Sequence, residues 1–222
     1  MKFYQKLDGG VLLSAREYDI AATTAIVEGQ IVKLTSGLVV AAAAGETSAI
    51  LGIAAENHSG VEDALDPRAN GTKIMVVDDP ETVMQCAAPQ ITAAAGGSAT
   101  TIVAAENNLA AFSANDLTGG YVQLVSKADG STNEDAIGQV RRITSFASAS
   151  STLTVDSGGT PTAGDVYAVY PPVGFAKGNL NETRTALVLT ATANLSLKVI
   201  GHDRKLGKIN LIAGKHLFAV NS

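Results

Sequence analysis

The sequence predicts an all-β protein, a sandwich or small barrel assembled from many short strands. Three observations carry that expectation. Apolar residues recur with a period of two rather than 3.6. The runs are short and are punctuated by Gly, Pro, Asp and Ser at turn positions. Hydrophobic residues make up 46% of the 222-residue chain but aromatics only 5%, with no Trp, so Ala, Val, Ile, Leu and Thr must fill the core.

The elements follow in order. The run QIVKL at 30–34 lies between Gly29 and Gly37, and Leu38-Val39-Val40 answers it across a tight turn at Ser36-Gly37, which reads as a hairpin. Apolar runs follow at 49–54 and at 73–77 (KIMVV); Asp79-Pro80 breaks the second and TVMQC at 82–86 resumes it. YVQLV at 121–125, GQVRRI at 138–143, TLTV at 152–155 and DVYAVY at 165–170 have strand patterning, separated by Asp129-Gly130, Ser157-Gly158-Gly159 and Pro161. The tail adds ALVLT at 186–190, LSLKVI at 195–200, KINLI at 208–212 and HLFAV at 216–220. AAENNLAAF at 104–112 is the one place for a turn or two of helix, weakened by Asn107-Asn108.

Charge divides the chain. Residues 1–110 carry 6 Lys/Arg against 13 Asp/Glu, a net of −7; residues 111–172 carry 3 against 6, a net of −3; residues 173–222 carry 7 against 2, a net of +5. The acidic residues gather at Glu56, Glu62, Asp63, Asp66, Asp78, Asp79 and Glu81, and the basic ones at Lys198, Arg204, Lys205, Lys208 and Lys215. Opposite charge lets the two ends pack on each other or on neighbouring copies; the alternative is that both are solvated loops. The turn-rich stretch 115–120, the pair Pro171-Pro172 and the change of charge sign there suggest a β-module at 111–172 inserted into a β-rich body of 29–110 and 173–222.

Residues 1–28 read as an arm. Phe3, Tyr4, Leu7, Val11, Leu12 and Leu13 make the opening too apolar for a solvated tail, and Gly9-Gly10 interrupts any long helix. An extended arm adding a strand to a neighbour is the expectation. Lys2 and Lys6 precede no long apolar run, so the start does not read as a signal peptide, and no stretch approaches 18 uninterrupted apolar residues. The single cysteine, Cys86, rules out an intramolecular disulfide.

Chemistry-bearing patterns are thin. His58, His202 and His216 are too scattered for a metal motif. In a strand, His202 and Asp203 would point to opposite faces, so they read as a loop pair rather than half of a catalytic dyad. Asp78-Asp79 offers carboxylates to a divalent cation but reads better as the turn that ends a strand. Gly96-Gly97-Ser98 lacks the Lys-Ser/Thr of a phosphate loop. In Arg141-Arg142 alternation sends one arginine outward and one inward or into a sheet-edge contact. The surrounding segment is net negative, which argues against nucleic acid. No cofactor or metal is expected, and an enzyme is disfavoured.

The glycine–aliphatic pattern of GQIVKL (29–34), GLVV (37–40), ILGIAAE (50–56), GTKIMVV (71–77), Pro80 and VMQC (83–86) resembles tailed-bacteriophage capsid decoration, or cement, proteins. A second stretch resembles a small β-module of phage virion proteins: DLTGGYV (116–122), GQVRRITS (138–145), LTVD (153–156) and PTAGDVY (161–167). The resemblance implies a small β-barrel or β-tulip body with an extended N-terminal arm and an inserted barrel-like module. It implies no catalytic residues. It also implies a structural virion protein, made in the host cytoplasm, that binds the major capsid protein on the outer capsid surface, commonly as a homotrimer, with no nucleic-acid or membrane partner. Phe3, Tyr4, Leu7, Val11, Leu12 and Leu13 are then the capsid-binding arm, and Asp63 and Asp66 meet Arg204 and Lys205 between subunits. A receptor- or glycan-binding head or tail-fibre module is the alternative, on the loose cluster Tyr167, Tyr170 and Phe175.

Overall fold

The computed structural model describes the backbone of residues 2–6 and residues 15–60, 73–190 and 193–218. The strands, in chain order, are β1 (Lys2–Lys6), β2 (Arg16–Asp19), β3 (Ile31–Thr35), β4 (Leu38–Ala41), β5 (Gly52–Ala54), β6 (Lys73–Val77), β7 (Thr82–Ala87), β8 (Gln90–Thr92), β9 (Thr101–Val103), β10 (Tyr121–Ser126), β11 (Val140–Ala147), β12 (Thr152–Val155), β13 (Val166–Tyr170), β14 (Asn179–Leu180), β15 (Leu187–Val188), β16 (Leu197–Asp203) and β17 (Lys208–Ala213). The protein is all-β, with one sheet curled into a half-barrel.

That curled sheet runs β2-β6-β5-β3-β4, antiparallel throughout. Ser36 and Gly37 both take positive φ, the two-residue turn that matches strand twist, so β3 and β4 pair in the register the sequence anticipates. The curl brings the outer strands together, and Ile20, just past β2, bridges Val39 in β4. Alternation then sorts the side chains. Val32 and Ala54 face an inner core with Ile20, Ile26, Val39, Leu51, Ile74 and Val76. Their neighbours Ile31 and Ile53 face the other way, into the main core of the molecule. A methyl group on Gly52 would overlap the Val77 carbonyl oxygen, so only glycine lets β5 lie this close to β6.

The second sheet runs β8-β13-β10-β11-β12-β9, and its two edge strands come together at one bridge, which makes it barrel-like. Ala93 bridges Ala104, and the amides of Ala94 and Ala105 donate to Val103 and Thr92 at 2.7 and 2.8 Å. Val122, Leu124, Ile143, Leu153, Tyr167 and Val169 fill the interior, each almost wholly buried. β13 is buried on both faces: Tyr167 and Val169 point in, whereas Tyr170 packs outward against His202 of β16. Asn107–Ala111 forms a single 3-10 turn that buries Leu109 beside the core, where the sequence allowed a short helix.

The third sheet, β1-β7-β17-β16, is antiparallel and lines the same main core through Met84, Cys86, Leu197, Val199, Ile209 and Leu211. Residues 174–175 hydrogen-bond to Val199 on the outer side of β16. β14 and β15 form a separate two-stranded ribbon.

Two expected boundaries are corrected. The module does not begin at 111, because β8 and β9 pair with β13 and β12 and form the two outer strands of its sheet. The barrel therefore spans about 90–170, directly before Pro171-Pro172. The arm does not extend to 28 either: β2 pairs with β6, and Ile20 and Ile26 are buried in the inner core of the curled sheet. In the tail, His216 makes one bridge to Ile50 and residues 217–218 turn, in place of the start of the expected strand at 216–220.

Candidate functional site

Of the six named capsid-binding residues, Phe3 and Tyr4 are described, in β1, where Phe3 pairs with Met84 of β7 in the same chain. The edge of β7 is thus taken by β1 of the same chain. Leu7, Val11, Leu12 and Leu13, and Asp63 and Asp66, lie outside the described residues. Arg204 and Lys205 are exposed in the turn between β16 and β17.

That turn forms one wall of a cleft of about 390 Å³ whose other wall is the outer face of the barrel. The outward residues of β10 and β13 make the barrel wall: Tyr170 donates its hydroxyl to Gln123 Oε1 at 2.6 Å, and Ala168 lies between strands beside them. Four residues, Arg204–Gly207, connect the paired ends Asp203 and Lys208, with Gly207 at φ +66°. The turn is tied down at three points. Leu206 N–H donates to Asp203 Oδ1 at 3.1 Å, Ala88 N–H donates to the Gly207 carbonyl at 2.9 Å, and the Arg204 guanidinium sits 4.5 Å over the Tyr121 ring. Leu206 is thereby held out at 62% exposure on one lip of the cleft. Ile137, 65% exposed, and Val125, 37% exposed, also line it. Behind the wall, His202 donates Nε2–H to the Pro171 carbonyl at 2.6 Å and stands edge-on to Tyr121 and Tyr170. Burial lowers its pKa, against the hydrogen bond to Pro171, so the ring is favoured neutral.

His202 and Asp203 are thus both strand residues and not the expected loop pair. They face apart, one toward the barrel and the other to the turn it caps, as alternation requires.

The other singled-out residues have structural partners. Arg141 is buried and pairs with Asp135, and its guanidinium also reaches the Gly159 and Ala99 carbonyls. Asp135 in turn accepts the Gly159 amide at 2.8 Å, so this pair locks the loops at one end of the barrel. Arg142 is exposed. Asp78 is buried, accepts the Tyr18 hydroxyl and lies 3.6 Å from Arg16. Burial and this carboxylate push the Tyr18 pKa up to about 12. Asp79 accepts the Glu81 amide at 2.9 Å and its carbonyl accepts Thr82 N–H, a turn at the end of β6. Among the described residues, no three His, Cys, Asp or Glu side chains gather to hold a metal ion. Tyr167, Tyr170 and Phe175 are all buried, so they form no aromatic platform for a glycan.

The cleft contains no nucleophile paired with a base. Its lining brings an apolar lip and two cations together. Sequence reasoning singled out Arg204 and Lys205 but missed Leu206, Ile137 and Val125. The available signal was DRKLG at 203–207, a leucine in the middle of a charged hairpin turn.

No protein-family model matches this chain, and neither a curated protein nor a solved structure matches it.

Proposed function

We propose that this chain is a structural virion protein that binds the outer surface of an assembled bacteriophage capsid and stabilises it, acting as a homotrimer and without catalysis. The observation that carries the reading is that the glycine–aliphatic stretches resembling decoration proteins, at 29–40, 50–56 and 73–77, coincide with the strands of the curled sheet. The bland composition also fits a protein that works by covering area. Apolar burial contributes about 25 cal/mol per Å², and several weak attachments on one lattice multiply through effective concentration. Binding only the closed shell then stabilises it by mass action. The fibre-head alternative loses its support with the burial of Tyr167, Tyr170 and Phe175.

The test is to mix purified protein with mature capsids that lack it and to sediment the particles. Co-sedimentation, together with a higher temperature for genome release, is the expected result. A protein lacking residues 2–13 should stay folded and remain in the supernatant. Full-length protein that remains in the supernatant, or that binds glycan or host cells instead, would overturn the proposal. Among the described residues no helix is long and apolar enough to cross a membrane.

A further inference from the structure

We infer that the cleft between the barrel and the β16–β17 turn is the seat for a second copy of this chain, which inserts an acidic, aliphatic segment between Leu206 and Ile137 and against Arg204 and Lys205. This rests on the reading of the chain as self-associating, and it names the contact.

Four observations converge. Leu206, Ile137 and Val125 are three of the large apolar side chains that the described surface leaves exposed, and they line one cleft. An exposed leucine costs hydrophobic free energy that a covering partner would recover. The leucine is also preorganised. The Asp203 cap, the Ala88–Gly207 hydrogen bond and the Arg204–Tyr121 stack hold the turn before any partner arrives, so little ordering entropy remains to oppose docking. Finally, Arg204 and Lys205 form no ion pair among the described residues, and no carboxylate lines the cleft. The cleft therefore selects a segment with aliphatic side chains interleaved with carboxylates.

The chain carries that chemistry itself. Residues 61–66 read Val-Glu-Asp-Ala-Leu-Asp, with Val61 and Leu65 to meet the lip and Glu62, Asp63 and Asp66 to meet the two cations. A net of −7 over residues 1–110 against +5 over 173–222 favours head-to-tail contact between copies. Such a contact is heterologous: each copy offers its cleft to one neighbour and its acidic segment to another. It closes into a ring if the rotation permits.

The experiment uses the full chain without capsid, so the association can succeed where capsid binding fails, and the reverse. Sedimentation velocity on the wild type should show concentration-dependent association. Leu206→Ser should weaken it about tenfold, as loss of one buried apolar contact predicts. Lys205→Glu should weaken it by a similar factor and should do so less at high salt. Combining Lys205→Glu with Asp63→Lys should restore part of the loss. In a Cys86→Ser background, a mixture of Leu206→Cys and Leu65→Cys chains should oxidise to a disulfide-linked pair of different chains. Unchanged near-ultraviolet circular dichroism confirms that each variant folds. Four results would overturn the inference: a wild type that stays monomeric at all concentrations; Leu206→Ser associating as tightly as wild type; failure of the charge exchange to restore binding; or a disulfide formed only within one chain when both cysteines are placed together.

Discussion

The barrel of 90–170 and the curled sheet of 16–77 solve the same problem differently. Both are short-stranded antiparallel ladders with turns of Gly, Ser and Asp. The two edge strands of the barrel, β8 and β9, meet just past their ends at one bridge, Ala93–Ala104, carried by two backbone hydrogen bonds. The curled sheet brings its outer strands together at the single Ile20–Val39 bridge. The barrel holds two large aromatics, Tyr167 and Phe146, and the buried Arg141–Asp135 pair; the curled sheet holds eight aliphatic residues, with the buried carboxylates of Asp78 and Glu46 paired to Arg16 and Lys33 at its margin. The difference lies in the cation: Arg141 is buried together with Asp135, whereas Arg16 and Lys33 reach their buried carboxylates from more exposed positions. In the barrel both charges are withdrawn from water and depend on each other; in the curled sheet each carboxylate is buried but its cation stays partly solvated.

The sharpest way to break that comparison is at the ion pair. Asp135→Ala leaves the Arg141 guanidinium buried without its carboxylate and should cost about 3–5 kcal/mol, measured by urea unfolding. The double variant Asp135→Ala with Arg141→Met should recover much of that loss. If the single variant were as stable as the wild type, the pair would not pin the barrel.

Next come the two cores. Leu153→Ala in the barrel and Ile74→Ala in the curled sheet each remove a wholly buried aliphatic group and should each cost about 2–5 kcal/mol. Hydrogen exchange distinguishes the regions. Ile74→Ala should speed exchange in β2, β5 and β6 while amides of β10–β13 keep near-wild-type protection. Equal acceleration everywhere would make the two regions one cooperative unit.

The smallest effect is the pH response of the curled sheet's edge loop. Burial alone would raise the Glu46 pKa, but Lys33 at 2.7 Å, the Ser48 hydroxyl and the amides of Ala43 and Ser48 outweigh it and hold the value at about 2. The folded value lies below the unfolded one. The stabilisation is therefore complete above about pH 5 and is lost as pH falls from there toward 2, amounting to about 2–3 kcal/mol. Glu46→Gln should flatten that part of the stability–pH curve. A variant that keeps the full wild-type acid sensitivity would assign it to other groups.

The strands with plain alternation were legible. QIVKL, KIMVV, YVQLV, TLTV and KINLI all fall in strands, and the Ser36-Gly37 turn sits where its two residues demand. What escaped was non-local. β8 and β9 are only three residues each, set in an Ala-, Gly- and Ser-rich stretch with too few side chains to show a period. Their place as the barrel's outer strands depends on partners some 50–75 residues away. The inward turn of one arginine in Arg141-Arg142 followed from alternation, but its carboxylate partner lies in a loop and has no spacing signature. The cleft was half legible: its cations stood out by charge, while its apolar lip comes from separate segments that only the fold brings together.

Cys86 gives the third sheet a use of its own. It is the chain's single thiol, lies in β7 opposite Ile209 of β17, and is buried. Burial also raises its pKa, which disfavours the reactive thiolate. The sheet therefore acts as a shutter over one chemical clock. The rate at which a disulfide reagent modifies the native protein reports how often the strands around Cys86 part, and comparing that rate in free and particle-bound protein reads attachment as a change in breathing, without any added label.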